Sequence, residues 1–208
     1  IRPGLASIVP VDVAVTAPAR DKSAALHVPG EIGVWVFILG DMTVFAVFFA
    51  TFIFYRSEEV ALFNASQLQL NQNLGVMNTL LLLTSSWFVV RGVNAGREDK
   101  LRSASRLFSL ALLCGLGFGV VKIIEYSEKI QHGITPLTND FFMYYFVFTG
   151  IHLFHVLIGC GLLLGMILHC RQHVTGKANM LFLEGSASFW HMVDLVWVLL
   201  FPVIYLLA

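Results

Sequence analysis

Residues Phe189 to Pro202 read FWHMVDLVWVLLFP, an apolar run long enough to form much of a membrane-spanning helix. Inside it stand His191 and Asp194, three residues apart and flanked by Trp190 and Trp197. Positions three apart share a helix face, so an imidazole and a carboxylate point to the same side. A charged side chain near the bilayer centre costs about 3 kcal/mol or more, so such a face is expected to look into protein or water. The remaining spans are therefore expected to pack around this helix as an integral membrane bundle.

Composition agrees with that expectation. Of 208 residues, 57% are hydrophobic and 12% charged, against roughly 25% charged in an ordinary soluble domain. Mean hydropathy is +0.78. Formal net charge is zero, so there is no basic field for nucleic acid and no acidic tail. Cys114, Cys160 and Cys170 have no CxxC spacing and read as small buried hydrophobes, not as a disulfide framework or a zinc site.

Five spans emerge along the chain. Residues 1–29 read as an extended N-terminal arm, interrupted by Pro3, Pro10 and Pro18 and ordered only by a partner or the bundle surface. Because the chain begins at Ile1 and not at Met, its true N-terminus is expected to be missing or processed. A turn containing Glu31 then launches the first span, Val34 to Tyr55, which carries one charge, Asp41. Val60 to Asn73 reads as a polar connection and Leu74 to Val90 as the second span. Arg91 to Arg106 reads as a basic loop before the third span, Leu107 to Ile124, whose Gly115, Gly117 and Gly119 predict a close crossing. At its exit, Lys122 and Lys129 flank Glu125 at helical spacing and offer it two local ion-pair partners. The fourth span, Phe141 to Leu168, holds His152 and His155 near its middle, and the fifth runs from about Leu181 to the end. The domain organisation is thus the arm followed by an all-α domain of five transmembrane helices over residues 30–208.

An odd number of spans puts the two ends on opposite sides. On the N-terminal side lie Arg2, Arg20, Lys22, Arg91, Arg97, Lys100, Arg102, Arg106, Arg171 and Lys177, against Arg56, Lys122 and Lys129 on the other. The positive-inside bias predicts a cytoplasmic N-terminus and an external C-terminus. Asp41, His152, His155, His191 and Asp194 then fall in one broad slab if their helices are neighbours, with Glu184 on the His191 stripe nearer the cytoplasmic surface. Three readings suit these groups. Histidine and carboxylate on facing helices can build a metal site, though no span has the Glu-x-x-His order of carboxylate-bridged centres. Buried Asp and His can form a proton path entered near Glu184. Or they tie helices together by hydrogen bonds.

A family resemblance enters at TGIHLFHVLIG (Thr149 to Gly159) and FWHMVDLVW (Phe189 to Trp197), with weaker matches at NTLLLLTSS (Asn78 to Ser86) and at Ile124 to Tyr126. In order and spacing these resemble subunit III of the haem-copper oxidases, from about Gly30 to Ala208. The mitochondrial type has seven spans and a glutamate where Asp41 stands. Five spans with an aspartate look like the bacterial branches, which include quinol-oxidase subunit III and a similar protein associated with nitric oxide reductase. The resemblance implies an accessory subunit without catalytic residues or metal of its own, docked against the catalytic subunit I that carries haem and copper. It also implies bound phospholipid and support of proton uptake, for which Asp41, Glu125 and Glu184 are the candidates, in a bacterial inner membrane. The buried polar cluster is His152, His155, His191 and Asp194. The rival reading is an independent metal-dependent membrane oxidoreductase using that cluster.

Overall fold

The computed structural model describes residues 32–172 and 179–207; the arm, Glu31 and Lys177 lie outside the described residues. It contains α1 (Ile32–Glu58), α2 (Val60–Gln67), α3 (Gln72–Arg97), α4 (Leu101–Gln131), α5 (Asp140–Gln172), α6 (Met180–Phe201) and a π-helical turn, Pro202–Leu206. Five helices are long and apolar enough to cross a membrane, as the hydropathy predicts.

Asparagines start three of them by satisfying backbone N–H groups that a helix leaves free at its first turn. The side chain of Asn71 accepts from Asn73 N and Leu74 N at the head of α3. Asn139 Oδ1 accepts from Phe142 N at 2.9 Å for α5, and Asn179 Oδ1 from Phe182 N at 3.4 Å for α6.

The helix ends differ from the expectation. The connection read from Val60 to Asn73 contains α2, whose Phe63 is buried against Phe52 and Phe141. The basic loop read from Arg91 to Arg106 shrinks to Glu98, Asp99 and Lys100, where Asp99 turns the chain with φ 56°. At 1.5 Å per residue, α3 and α4 are longer than a hydrocarbon core of about 30 Å, so their charged ends project into the interface while staying helical. Arg91 illustrates this: its guanidinium lies 5.4 Å from the Trp87 ring on the same helix. Lys122, Glu125 and Lys129 are within α4, and all three are buried.

α3, α4, α5 and α6 form the packed core, with α1 laid against α5 and α6. Close approach in the core depends on glycine. A Cβ on Gly159 would stand 2.6 Å from the Trp190 ring, and one on Gly115 would stand 2.7 Å from it. The close crossing expected of the third span therefore occurs at Gly115, whereas Gly117 and Gly119 meet only Leu81 and Leu153 at 3.6 Å or more. By contrast α1 is held through phenyl rings. Phe48 stacks on Phe148 at 5.5 Å, and Phe52 meets Phe63, Phe141, Tyr144 and Phe148.

Candidate functional site

The polar residues singled out from the sequence separate into distinct contacts. His155 and Asp41 join α5 to α1, with Nε2 3.1 Å from Asp41 Oδ1. The other ring nitrogen, Nδ1, lies 2.8 Å from the Ile151 carbonyl oxygen. A carbonyl can only accept, so Nδ1 carries hydrogen and the Nε2 to carboxylate contact needs a further proton, held on either partner. The pair links α5 to α1 at Asp41, the one charged residue of α1 ahead of Arg56.

His191 joins α6 to α3: its Nδ1 is 2.6 Å from Ser86 Oγ. Asp194 is buried, and Ser86 lies beside it too. Neither Asp194 oxygen completes a hydrogen bond. Higher on the same seam, Nε and Nη2 of Arg97 both donate to Glu184 Oε1, at 3.2 and 2.9 Å. His152 stands apart, fully buried with its ring 5.1 Å from that of Trp197 and 5.5 Å from that of Phe118. Both its ring nitrogens lack a hydrogen-bond partner. Among the described residues no group of three or more His, Cys, Asp or Glu side chains is placed to hold a metal ion.

The most complete polar assembly adds Tyr205, which sequence reasoning missed, to the Lys122–Glu125 pair that helical spacing predicts. Lys122 Nζ donates to Glu125 Oε2 at 2.8 Å and to Tyr205 OH at 2.7 Å, and Tyr205 OH donates to Glu125 Oε1 at 2.6 Å. Every heteroatom in this triangle has at least one partner within it. Lys122 and Glu125 are fully buried. The ammonium also lies 4.9 to 5.9 Å from the ring centres of Trp197, Tyr205, Tyr145 and Tyr126, within the range of cation–π attraction. Of the two partners expected for Glu125, Lys122 takes it, whereas Lys129 Nζ donates to the Gln69 carbonyl at 2.5 Å and ties α4 to the end of the α2 segment. The i, i+3 spacing of Lys122 and Glu125 was a visible signal. Tyr205, 83 residues from Lys122, was not.

Hollows open between helices among the described residues. One, of about 540 Å³, lies between α1, α5 and α6 and is walled by Val34, Phe37, Leu162, Phe182 and Phe189. Another, of about 180 Å³, follows the α3–α6 seam between Asn94, Arg97, Glu184, Ser188 and His191.

The sequence model of the family described as cytochrome c oxidase subunit III matches residues 21–208. The chain belongs to the cytochrome c oxidase subunit III family. Among its relatives, cytochrome c oxidase subunit 3 of Corynebacterium diphtheriae is 30% identical over 193 residues, covering 90% of this chain and 93% of that one. Cytochrome c oxidase subunit 3 of Bacillus sp. (strain PS3) is 28% identical, with 94% and 95% covered. Quinol oxidase subunit 3 of Bacillus subtilis is 28% identical, with 85% and 86% covered. As a subunit III, the chain is a non-catalytic accessory subunit of a respiratory haem-copper oxidase and a multi-pass membrane protein. The independent metal enzyme is not supported.

Proposed function

We propose that this subunit III docks laterally on the haem- and copper-bearing subunit I of a bacterial terminal oxidase, holds phospholipid against it, and supports its proton uptake and lifetime. The observation that carries the reading is the family match along the entire bundle. The hollow between α1, α5 and α6 suits acyl chains, being walled by aromatic and aliphatic side chains, with Asn179 and Ser186 as its polar edge. Asp41 is one turn from Phe37 of that wall, so its pair with His155 sits next to the proposed lipid. That position supports Asp41 as the group serving proton uptake. Glu125 and Glu184, held in ion pairs with Lys122 and Arg97, are assigned to fixing helices. The N-terminus is cytoplasmic on this reading. Its support is the excess of Lys and Arg on that side, which grows once Lys122 is removed from the external count because it is buried inside the bundle. The electron donor, cytochrome c or quinol, is then a property of the partner subunits.

The test is purification of the chain from its native membrane in mild detergent. A large haem-containing chain is expected at equal stoichiometry, with phospholipid remaining after delipidating washes. Recovery of the chain alone with stoichiometric iron or copper bound to it would overturn the proposal.

A further inference from the structure

We propose that the groove between α3 and α6 is a water-filled inlet that brings the aqueous phase to Asp194. Three observations meet here. The groove is a real hollow of about 180 Å³, room for several water molecules. Although it lies between helices that cross a membrane, five polar side chains line it beside the apolar Val90, Val93 and Ala187: Arg97 and Glu184 stand at the mouth, Asn94 and Ser188 on the sides, and His191 at the inner end. Past His191 lie Ser86, bonded to the imidazole at 2.6 Å, and then Asp194, 4% exposed with both carboxyl oxygens unpartnered.

A buried carboxyl without partners is costly, and an unpartnered polar atom inside a protein commonly marks an ordered water. Ser188 Oγ already donates to the Glu184 carbonyl and His191 Nδ1 is bonded to Ser86, but lipid tails in the groove would leave the Asp194 carboxyl with no donor. Water reaching past His191 would supply the donors this carboxyl lacks. The outer face of α4 provides the contrast. Leu110, Leu113, Leu116, Val120 and Ile123 are exposed there with no polar group among them, as befits contact with lipid. The inlet gives the subunit a buried acid that exchanges protons with one side of the membrane, from the end where Arg97 pairs with Glu184. This role is separate from the Asp41–His155 pair, which lies on other helices.

Thiol accessibility tests it in membranes carrying the assembled complex. Ser188→Cys puts a thiol on the wall and Ser86→Cys puts one at the inner end, beside Asp194. Leu110→Cys puts one on the lipid face at a similar depth, since Gly92 of α3 meets Phe108 of α4 and Gly96 meets Leu183 of α6. The wild-type chain, whose cysteines are buried or half-buried, sets the background. A permanently charged, water-soluble methanethiosulfonate is expected to label Ser188→Cys and Ser86→Cys at least ten-fold faster than Leu110→Cys. If Ser188→Cys does not assemble, Ala187→Cys serves as the wall position, because Ala187 lines the same groove. Labelling of either the wall or the inner position no faster than Leu110→Cys overturns the proposal: the groove is then filled by lipid or by a partner segment, or it stops short of Asp194.

Discussion

Replacing Glu125 by leucine removes the carboxylate that Lys122 contacts at 2.8 Å and that Tyr205 contacts at 2.6 Å, in a site with no exposure to solvent. Breaking a buried ion pair from one side costs about 3–5 kcal/mol, because an uncompensated charge is left behind. Lys122 would keep Tyr205 OH and four aromatic faces, each ring worth about 0.5–2 kcal/mol. The expected cost therefore sits at the lower end, about 3 kcal/mol, and would lower the midpoint for release of the subunit by roughly 10 °C. The double variant Lys122→Met with Glu125→Leu removes both charges and leaves Tyr205 OH as a buried orphan, worth about 1–3 kcal/mol. Adding Tyr205→Phe removes the orphan too, and the triple variant should return to within about 1 kcal/mol of the wild type. The assay is stepwise heating of the detergent-solubilised complex, with the fraction of subunit still bound measured at each temperature. A Glu125→Leu variant as durable as wild type, or a triple variant less durable than the single, would refute the reasoning.

Gly159→Ala places a methyl 2.6 Å from the Trp190 ring and should cost about 1–3 kcal/mol by overpacking. Gly161→Ala, two residues on with nothing within 4 Å, should be neutral or stabilising by up to about 1 kcal/mol; the same heating assay separates them. Ser85→Ala deletes a 2.9 Å bond to the Ala111 carbonyl between α3 and α4, yet should shift stability by only about 0.6 kcal/mol, the average for such bonds in membranes. Asp41→Asn keeps volume and hydrogen bonding but cannot share a proton with His155. Assembly should be normal, with altered retained phospholipid or partner turnover, both measured on the purified complex.

The spans were legible because apolar runs of about twenty residues have few other uses. Their ends were not, since the sequence cannot distinguish a charged loop from a charged helix terminus. Arg91, lying over Trp87 one turn earlier, is of the second kind. Lys122 and Glu125 read as the external exit of the third span for a related reason: two opposite charges close in sequence mark a membrane exit unless the buried partner is known, and Tyr205 comes from the far end of the chain. His191 and Asp194 did share a helix face as their spacing requires, but what each touches depends on how α6 meets α3. Likewise Asp41 and His155 were each visible, whereas their pairing is a property of two helices more than a hundred residues apart.

Apolar surface in a bilayer gives helices little reason to prefer one neighbour or register, because lipid tails are as apolar as leucine. Across the antiparallel α3–α6 pair, four polar contacts act as rungs from one end to the other. Arg97 donates to Glu184, Ser86 bonds His191, Trp197 Nε1 donates to Thr79 Oγ1 at 3.0 Å, and Gln72 Nε2 donates to the Tyr205 carbonyl at 3.1 Å. Sliding α6 by one turn, about 5.4 Å, would break all four together while leaving leucine and valine against equivalent apolar surface. Each rung alone is weak. Their joint dependence on one register penalises a slip several times over, and that same register delivers Tyr205 to Lys122 and Glu125 and sets Trp190 against Gly115 and Gly159. Polar groups such as Glu184 and His191 thus earn their place in the bilayer by selecting a single alignment of α3 and α6.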